Sequence, residues 1–152
     1  MTAFLSCRDI QISGLTMLCK LQLSTSGSNI VGETGGGDLV YYIIFRHMSD
    51  PVLCTHAIRF GCSLARGCNE NRLPMCKHKC CQILVDAMKE HDDYTELQNQ
   101  ACELIEMLSY YSSENRDRLG RSGACGTIVK HLIKNMANED VCTVCIRAIQ
   151  GL

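Results

Sequence analysis

The chain has 152 residues, of which 46% are hydrophobic and 20% are charged, and its formal net charge is −1. This length suits a single domain, and the hydrophobic fraction is sufficient for a buried core and too high for a disordered chain. A net charge near zero gives no general attraction to nucleic acid or anionic lipid, so we expect neither nucleic acid nor a membrane as a partner.

The N-terminal sequence, MTAFLSCRDIQISGL, lacks a basic segment followed by a long apolar run, so no secretory signal is predicted. No stretch approaches the roughly 18 apolar residues that a membrane-spanning helix needs. We therefore expect a cytoplasmic protein, a nuclear location being also compatible, in which the 12 cysteines are mostly reduced thiols. Buried free cysteines behave as small apolar residues, and this is the role that we assign to most of them.

The first predicted element is an amphipathic helix between Phe4 and Leu23, and a repeat follows it. Glu70-Asn71-Arg72 recurs as Glu114-Asn115-Arg116, and the step from 71 to 115 is 44 residues. A repeat of this kind predicts one supersecondary unit that is used several times. Other matches in the same register are Cys81/Cys125, Val85/Val129, Ile105/Ile149, His47/His91, Leu53/Leu97 and Ala57/Ala101.

Each copy has a polar lead, a compact apolar segment, a polar break and a longer amphipathic helix. In the middle copy the apolar residues from Leu97 to Leu108 are spaced i, i+4, i+7, i+8 and i+11, which places them on one helical face. Proline and acidic residues in the breaks suit helix starts. The predicted domain spans 1–152, with a partial copy in 1–26 and full copies in about 27–66, 70–110 and 114–152.

A helical unit that recurs every 40-odd residues is typical of α-solenoids. The segments ENRDRLGRSGACGTIVKHL, from residue 114, and GETGGGDLV, from residue 32, resemble the start of an armadillo repeat. In such repeats a short first helix ends in a glycine-containing turn, because the second helix doubles back and needs a positive φ there. The resemblance implies an all-α, right-handed superhelix of about three armadillo-like repeats, preceded by the last helix of a partial repeat.

The resemblance also implies a function, namely a non-catalytic scaffold that binds a partner protein or an extended peptide on a concave surface lined by the third helices. Arg59, Glu103 and Arg147 share one position in the three copies and form a ladder of alternating charge. Peptide-binding armadillo proteins carry tryptophans at such positions, and this chain has none, so a groove of the nuclear-import type is not expected. The predicted partner-binding residues are His56, Arg59, Ser63, Gln100, Glu103, Met107, Val144 and Arg147.

A competing hypothesis is a zinc- or redox-responsive module centred on Cys76, His78, Cys80 and Cys81, in the stretch MCKHKCC. A zinc site needs four converging ligands, usually supplied as two separated pairs, and no second well-spaced pair is present. The other copies form the same turn with glycine and alanine, which favours packing. The Cys142–Cys145 pair has the spacing of redox motifs, but its position near the start of the last helix also favours packing.

No catalytic motif accompanies these features. The glycines between residues 32 and 37 are not followed by Gly-Lys-Ser/Thr, and the sequence contains no G-x-S-x-G nucleophile elbow. We therefore predict that the chain is not an enzyme and needs no cofactor or metal. Because it opens on a partial copy and ends on a core position, Leu152, we expect either a part of a longer array or self-association through uncapped ends.

Overall fold

The structure, a computed structural model, describes residues 7–21, 25–77 and 79–152. It confirms the all-α prediction, because every regular element in these ranges is helical. None of the described helices is both long enough and apolar enough to cross a bilayer. The helices are α1 Arg8–Leu21, α2 Thr25–Glu33, α3 Gly36–Arg46, α4 Pro51–Gly67, α5 Arg72–Met75, α6 Cys80–Glu90, α7 Thr95–Ser109, α8 Ser113–Ser122, α9 Ala124–Lys134 and α10 Glu139–Gly151, with a 3-10 turn at Asn69–Asn71 before α5.

After α1, the helices follow in three groups of three, α2–α4, α5–α7 and α8–α10. The last helix of each group begins at one of the polar breaks that the sequence predicts. At α4, the Asp50 carboxylate accepts hydrogen bonds from the backbone N–H groups of Val52 and Leu53, both 3.1 Å long, and Pro51 occupies the first turn. These contacts satisfy N–H groups that have no partner within the helix. At α10, Asn138 caps Val141 in the same way.

The turn between the first and second helix of a group is made differently in the middle group. Gly35 and Gly123 occupy equivalent turns and have φ values of 93° and 86°, which glycine adopts at little cost. Lys79 stands at the same position in the middle group and has a φ of −93°. The lysine is therefore not strained. The short helix α5 already ends at Met75, whereas α6 begins only at Cys80, so this turn differs from the single-glycine turns of the other two groups.

The second and third helices of the groups, together with α1, pack in two rows. The first row is α1, α4, α7 and α10, each beside the next, and the second row is α3, α6 and α9. Ala57, Ala101 and Cys145 lie at one sequence position of the first row and are fully buried. Their small side chains allow neighbouring helices to approach closely. One core cluster runs along both rows, from Leu15 in α1 to Ala148 in α10.

Two buried asparagines join each group to the group before it. Asn71 donates through Nδ2 to the carbonyl oxygens of Ser28 and Leu64, over 3.0 and 3.2 Å. Leu64 lies in the last turn of α4, and its carbonyl oxygen also accepts the backbone N–H of Cys68 over 3.3 Å, so the Asn71 amide is its second donor. The same bonds recur 44 residues later, where Asn115 Nδ2 donates to the carbonyl oxygens of Arg72, over 3.1 Å, and Leu108, over 2.8 Å.

The arginine that follows each asparagine also makes the same kind of contact in both groups. Arg72 Nε donates to the carbonyl oxygen of Ala65 over 2.9 Å, and Arg116 Nη1 donates to that of Ser109 over 3.3 Å. The acceptors are again 44 residues apart. The Asn and the Arg of the recurring Glu-Asn-Arg triplet therefore make the same hydrogen bonds at both junctions, whereas the two glutamates have different partners.

Two equivalent glycines provide a matched test of the asparagine contact. A Cβ atom on Gly32 would lie 1.8 Å from Oδ1 of Asn71, whereas nothing lies within 4 Å of a Cβ atom on Gly120. We predict that Gly32→Ala displaces the Asn71 amide and lowers the free energy of unfolding by about 1–3 kcal/mol, because the buried amide N–H groups lose their acceptors. Gly120→Ala should raise it by about 0.5–1 kcal/mol through helix propensity.

Urea denaturation followed by circular dichroism measures both changes. The unmodified chain is the reference, and the two variants differ from it by the same added methyl group. A Gly32→Ala variant that is as stable as Gly120→Ala would contradict the role assigned to Asn71.

Candidate functional site

The predicted partner-binding residues lie on the outward side of α4, α7 and α10, which pack in a row. Arg59 and Arg147 are exposed, whereas Met107 and Val144 are half-buried and pack against the core. The thiol of Cys62 lies 3.5 Å from the carbonyl oxygen of Gln100, so α4 and α7 are in direct contact at this face. We call this surface the α4–α7–α10 face and define it by His56, Arg59, Ser63, Gln100, Glu103, Met107, Val144 and Arg147.

The predicted charge ladder of Arg59, Glu103 and Arg147 does not pair with itself. Each of the three side chains forms an ion pair with a different residue, and each pair joins two neighbouring helices of the row. The pairs are solvent-exposed, so each contributes only about 0–1 kcal/mol and leaves its charges accessible to a partner. They are Arg59–Glu96, Arg66–Glu103, with 2.5 Å between Nη2 and Oε1, and Arg147–Glu106, with 3.5 Å between Nε and Oε2.

Sequence reasoning missed Glu96, Arg66 and Glu106, although a signal for two of them was present. Arg59 and Arg66 are seven residues apart on α4, as Glu96 and Glu103 are on α7. Two residues seven apart lie on the same face of a helix, so these arginines and glutamates form two parallel rungs between α4 and α7.

The row of ion pairs continues beyond the predicted residues to α1, where Arg8 pairs with Asp50. Partial burial opposes ionisation of this carboxyl, but hydrogen bonds from Arg8 and from the Leu53 N–H group lower its pKa. Burial and then the charge of Arg59 lower the pKa of His56, which is therefore neutral near pH 7. The face thus presents paired charges of both signs and a neutral imidazole.

The cysteines of the competing hypothesis are mostly inside the protein, and His78 lies outside the described residues. Cys76 is 0% exposed and Cys81 is 3% exposed. A hydrogen bond between these two thiols raises the pKa of Cys76 and lowers that of Cys81, whereas burial raises the pKa of Cys80 to about 11. Within the described ranges, no group of three or more His, Cys, Asp or Glu side chains is placed to hold a metal ion.

The second cysteine pair has a structural role that the structure makes visible. Cys142 directs its thiol toward the carbonyl oxygen of Asn135, 3.6 Å away at the end of α9, and Cys145 is fully buried. The equivalent residues in the other two groups satisfy the end of the preceding helix in the same way. They are Cys54, with its thiol 3.3 Å from the His47 carbonyl oxygen, and Gln98, with Nε2 3.0 Å from that of His91.

Apolar side chains are exposed at both ends of the helix rows. In α1, Met17 and Leu21 are each 66% exposed, and at the other end Ile133 is 60% and Ile146 is 47% exposed. Position 146 is equivalent to Cys102 in the middle group, which is fully buried. Self-association through these ends stays a prediction.

Comparison with known proteins identifies no family for this chain. No protein-family model matches it, and neither does any curated protein or solved structure.

Native-state alkylation distinguishes packed cysteines from reactive ones. Burial raises the pKa of Cys54 to about 12 and raises the pKa of Cys62 well above its usual value. Because the thiolate is the nucleophile, burial should protect both thiols. We predict that iodoacetamide near pH 8 modifies the exposed Cys125 first, and modifies Cys54 and Cys62 only after unfolding in urea. Peptide mass spectrometry measures the order. Modification of Cys76 or Cys81 as fast as that of Cys125 would contradict the packing interpretation and favour a redox role.

Proposed function

We propose that the chain is an armadillo-like α-solenoid that acts as a non-catalytic interaction module. In this proposal α2–α4, α5–α7 and α8–α10 are three successive repeats, and α1 is the last helix of a partial one. The repeats stack in one direction, so their third helices form a continuous surface, the concave side of a right-handed superhelix.

The observation that carries the proposal is the recurrence of hydrogen bonds in the sequence register. Asn71 and Asn115 bind backbone carbonyl groups at equivalent places, and so do Arg72 and Arg116. A compact helical bundle has no reason to repeat its polar contacts at a fixed step along the chain. A stack of like units requires this, since each junction solves the same packing problem.

The partner that suits the α4–α7–α10 face is an extended peptide with charges of both signs. Charged side chains of such a peptide can join the existing ion pairs, which keep both Arg59 and Glu103 near the surface. Gln100 and Ser63 offer hydrogen bonds to an extended backbone, whose amides need partners along their whole length. Half-buried Met107 gives an apolar contact between the charged positions.

Peptide selection tests this proposal with no assumption about which protein is the partner. A phage-displayed library of unstructured peptides is selected on the immobilised chain, and the selected peptides are titrated by fluorescence anisotropy against Arg59→Glu and Arg147→Glu. We expect each variant to bind at least about tenfold more weakly, because the reversed charge repels the acidic side chains that the arginine attracts.

The matched control is Arg121→Glu, which makes the same charge change at an exposed position on α8. Circular dichroism should show all variants folded, since an exposed ion pair contributes at most about 1 kcal/mol. The proposal fails if no peptide is selected, or if the selected peptides bind both face variants as tightly as the control.

A further inference from the structure

A cavity of about 280 Å³ lies where the second and third groups meet, between α6 and α9. We call it the α6–α9 cavity. Its walls include the end of α6, the start of α7 and one face of α9, away from the α4–α7–α10 face. The polar side chains that line it are Lys89, Asp92, Gln98, Lys130, His131 and Lys134.

The equivalent positions one group earlier carry a different chemistry. They lie 44 residues before the cavity positions, at the junction between α3 and α6, and five of them are apolar or sulfur-bearing. Among the polar replacements, Lys89 is exposed, whereas Gln98 and His131 are buried. Since the same fold can be built with Cys54 and Ala87 at these two positions, and since burying polar groups costs stability, Gln98 and His131 call for a reason beyond packing. The replaced pairs are Phe45/Lys89, Met48/Asp92, Cys54/Gln98, Ile83/Thr127 and Ala87/His131.

The amide of Gln98 has an unused hydrogen-bond acceptor. Its side chain is 1% exposed, and its Nε2 donates to the carbonyl oxygens of Met88 and His91, over 2.5 and 3.0 Å. Two carbonyl acceptors require the NH₂ end of the amide, so its orientation is fixed. Its Oε1 has no hydrogen-bond partner within the described part of the chain. Leaving a buried oxygen such as Oε1 without a donor costs free energy, and a ligand that donates a hydrogen bond to it would remove this cost.

The charges in the cavity are mainly positive. Lys130 and Lys134 both pair with Asp92, and Lys134 also reaches the exposed Asp93. The hydrogen bond from Lys130, followed by that from Lys134, lowers the pKa of Asp92 to about 2, so it stays ionised. Lys89 forms no ion pair with any described residue. Three ammonium groups therefore face two carboxylates, of which Asp93 is exposed, and a small anion would neutralise the remaining positive charge.

His131 lines the cavity, but its ring nitrogens are not available to a ligand. Its Nδ1 lies 3.2 Å from Asn135 Nδ2, which donates, and its Nε2 lies 3.1 Å from Asn99 Oδ1, which accepts. Both ring nitrogens are thus engaged by neighbouring side chains, and the ring carries its single proton on Nε2. Burial and then Lys134 lower its pKa, so the neutral form persists near pH 7.

We propose that the α6–α9 cavity binds a small phosphate monoester that carries a free hydroxyl group. The phosphate lies among the ammonium groups of Lys89, Lys130 and Lys134, and the hydroxyl donates to Oε1 of Gln98. Lysine is a common phosphate ligand, whereas carboxylates are more often held by the fork of an arginine. A volume of about 280 Å³ lies at the lower end for ligand pockets, which limits the ligand to a few carbon atoms. This site goes beyond the proposed peptide binding and does not depend on it.

Isothermal titration calorimetry of the whole chain tests the site with three compounds at constant ionic strength. Glycerol 3-phosphate offers both recognised groups, inorganic phosphate offers a small dianion with no carbon-bound hydroxyl, and glycerol offers hydroxyl groups alone. We expect glycerol 3-phosphate to bind most tightly, inorganic phosphate to bind more weakly, and glycerol to show no binding. Equal affinity for the two phosphates, or no binding of either at millimolar concentration, overturns the proposal.

Substitutions of residues that line the α6–α9 cavity test whether the phosphate compounds bind there. Lys89→Gln should weaken glycerol 3-phosphate binding about tenfold through the loss of a charge-assisted contact. Gln98→Cys introduces the residue that the other two groups hold at this position, and it should abolish the preference over inorganic phosphate. Gly126→Leu fills the cavity without a steric clash at Cβ and should prevent binding. Lys20→Gln on α1 is the charge control, and an effect as large as that of Lys89→Gln would contradict the site.

Discussion

The amide groups of Asn71 and Asn115 determine how one group of three helices sits on the next. Each amide donates to two backbone carbonyl groups, one in the last turn of a long helix and one in the preceding short helix. A buried amide N–H group without an acceptor is costly, so a shift of the neighbouring group along the chain of helices would lower the stability of the fold. The two rows of helices, and the continuous core between them, follow from this fixed register.

Both candidate sites lie at junctions that this register creates. The α4–α7–α10 face exists because the third helices lie side by side, and its ion pairs, such as Arg66–Glu103, cross from one helix to the next. The α6–α9 cavity exists because the second helices of the groups also lie side by side. Equivalent positions hold Cys54 in one junction and Gln98 in the next without a change of fold. The contacts that join the groups, such as those of Asn71 and Asn115, thus differ from the residues that distinguish one junction from another.

The helices could be predicted from the sequence because hydrophobic spacing and helix-start residues are local signals. The compact apolar segment of the middle copy, for example, is the helix α6, Cys80–Glu90. The longer turn at Lys79 was not predicted, because it depends on where α5 ends and not on the lysine itself. The seven-residue spacing of Arg59 and Arg66 was visible in the sequence, but the identity of their partners on α7 depends on the three-dimensional spacing of the two helices and was missed. The cavity at Gln98 was missed for a different reason: its polar residues were visible in the register, but their convergence was not.

The central claim is that the chain is a one-dimensional stack, in which each group depends only on its neighbours. Native-state hydrogen exchange of the variant Ile128→Val tests this claim. Ile128 is fully buried in α9, and the loss of one methyl group there should lower the local free energy of unfolding by about 1 kcal/mol. We expect the amides of α8–α10 to lose about that much protection free energy while those of α2–α4 keep theirs. An equal loss throughout α2–α4 would mean a single cooperative core and would contradict the stacked arrangement.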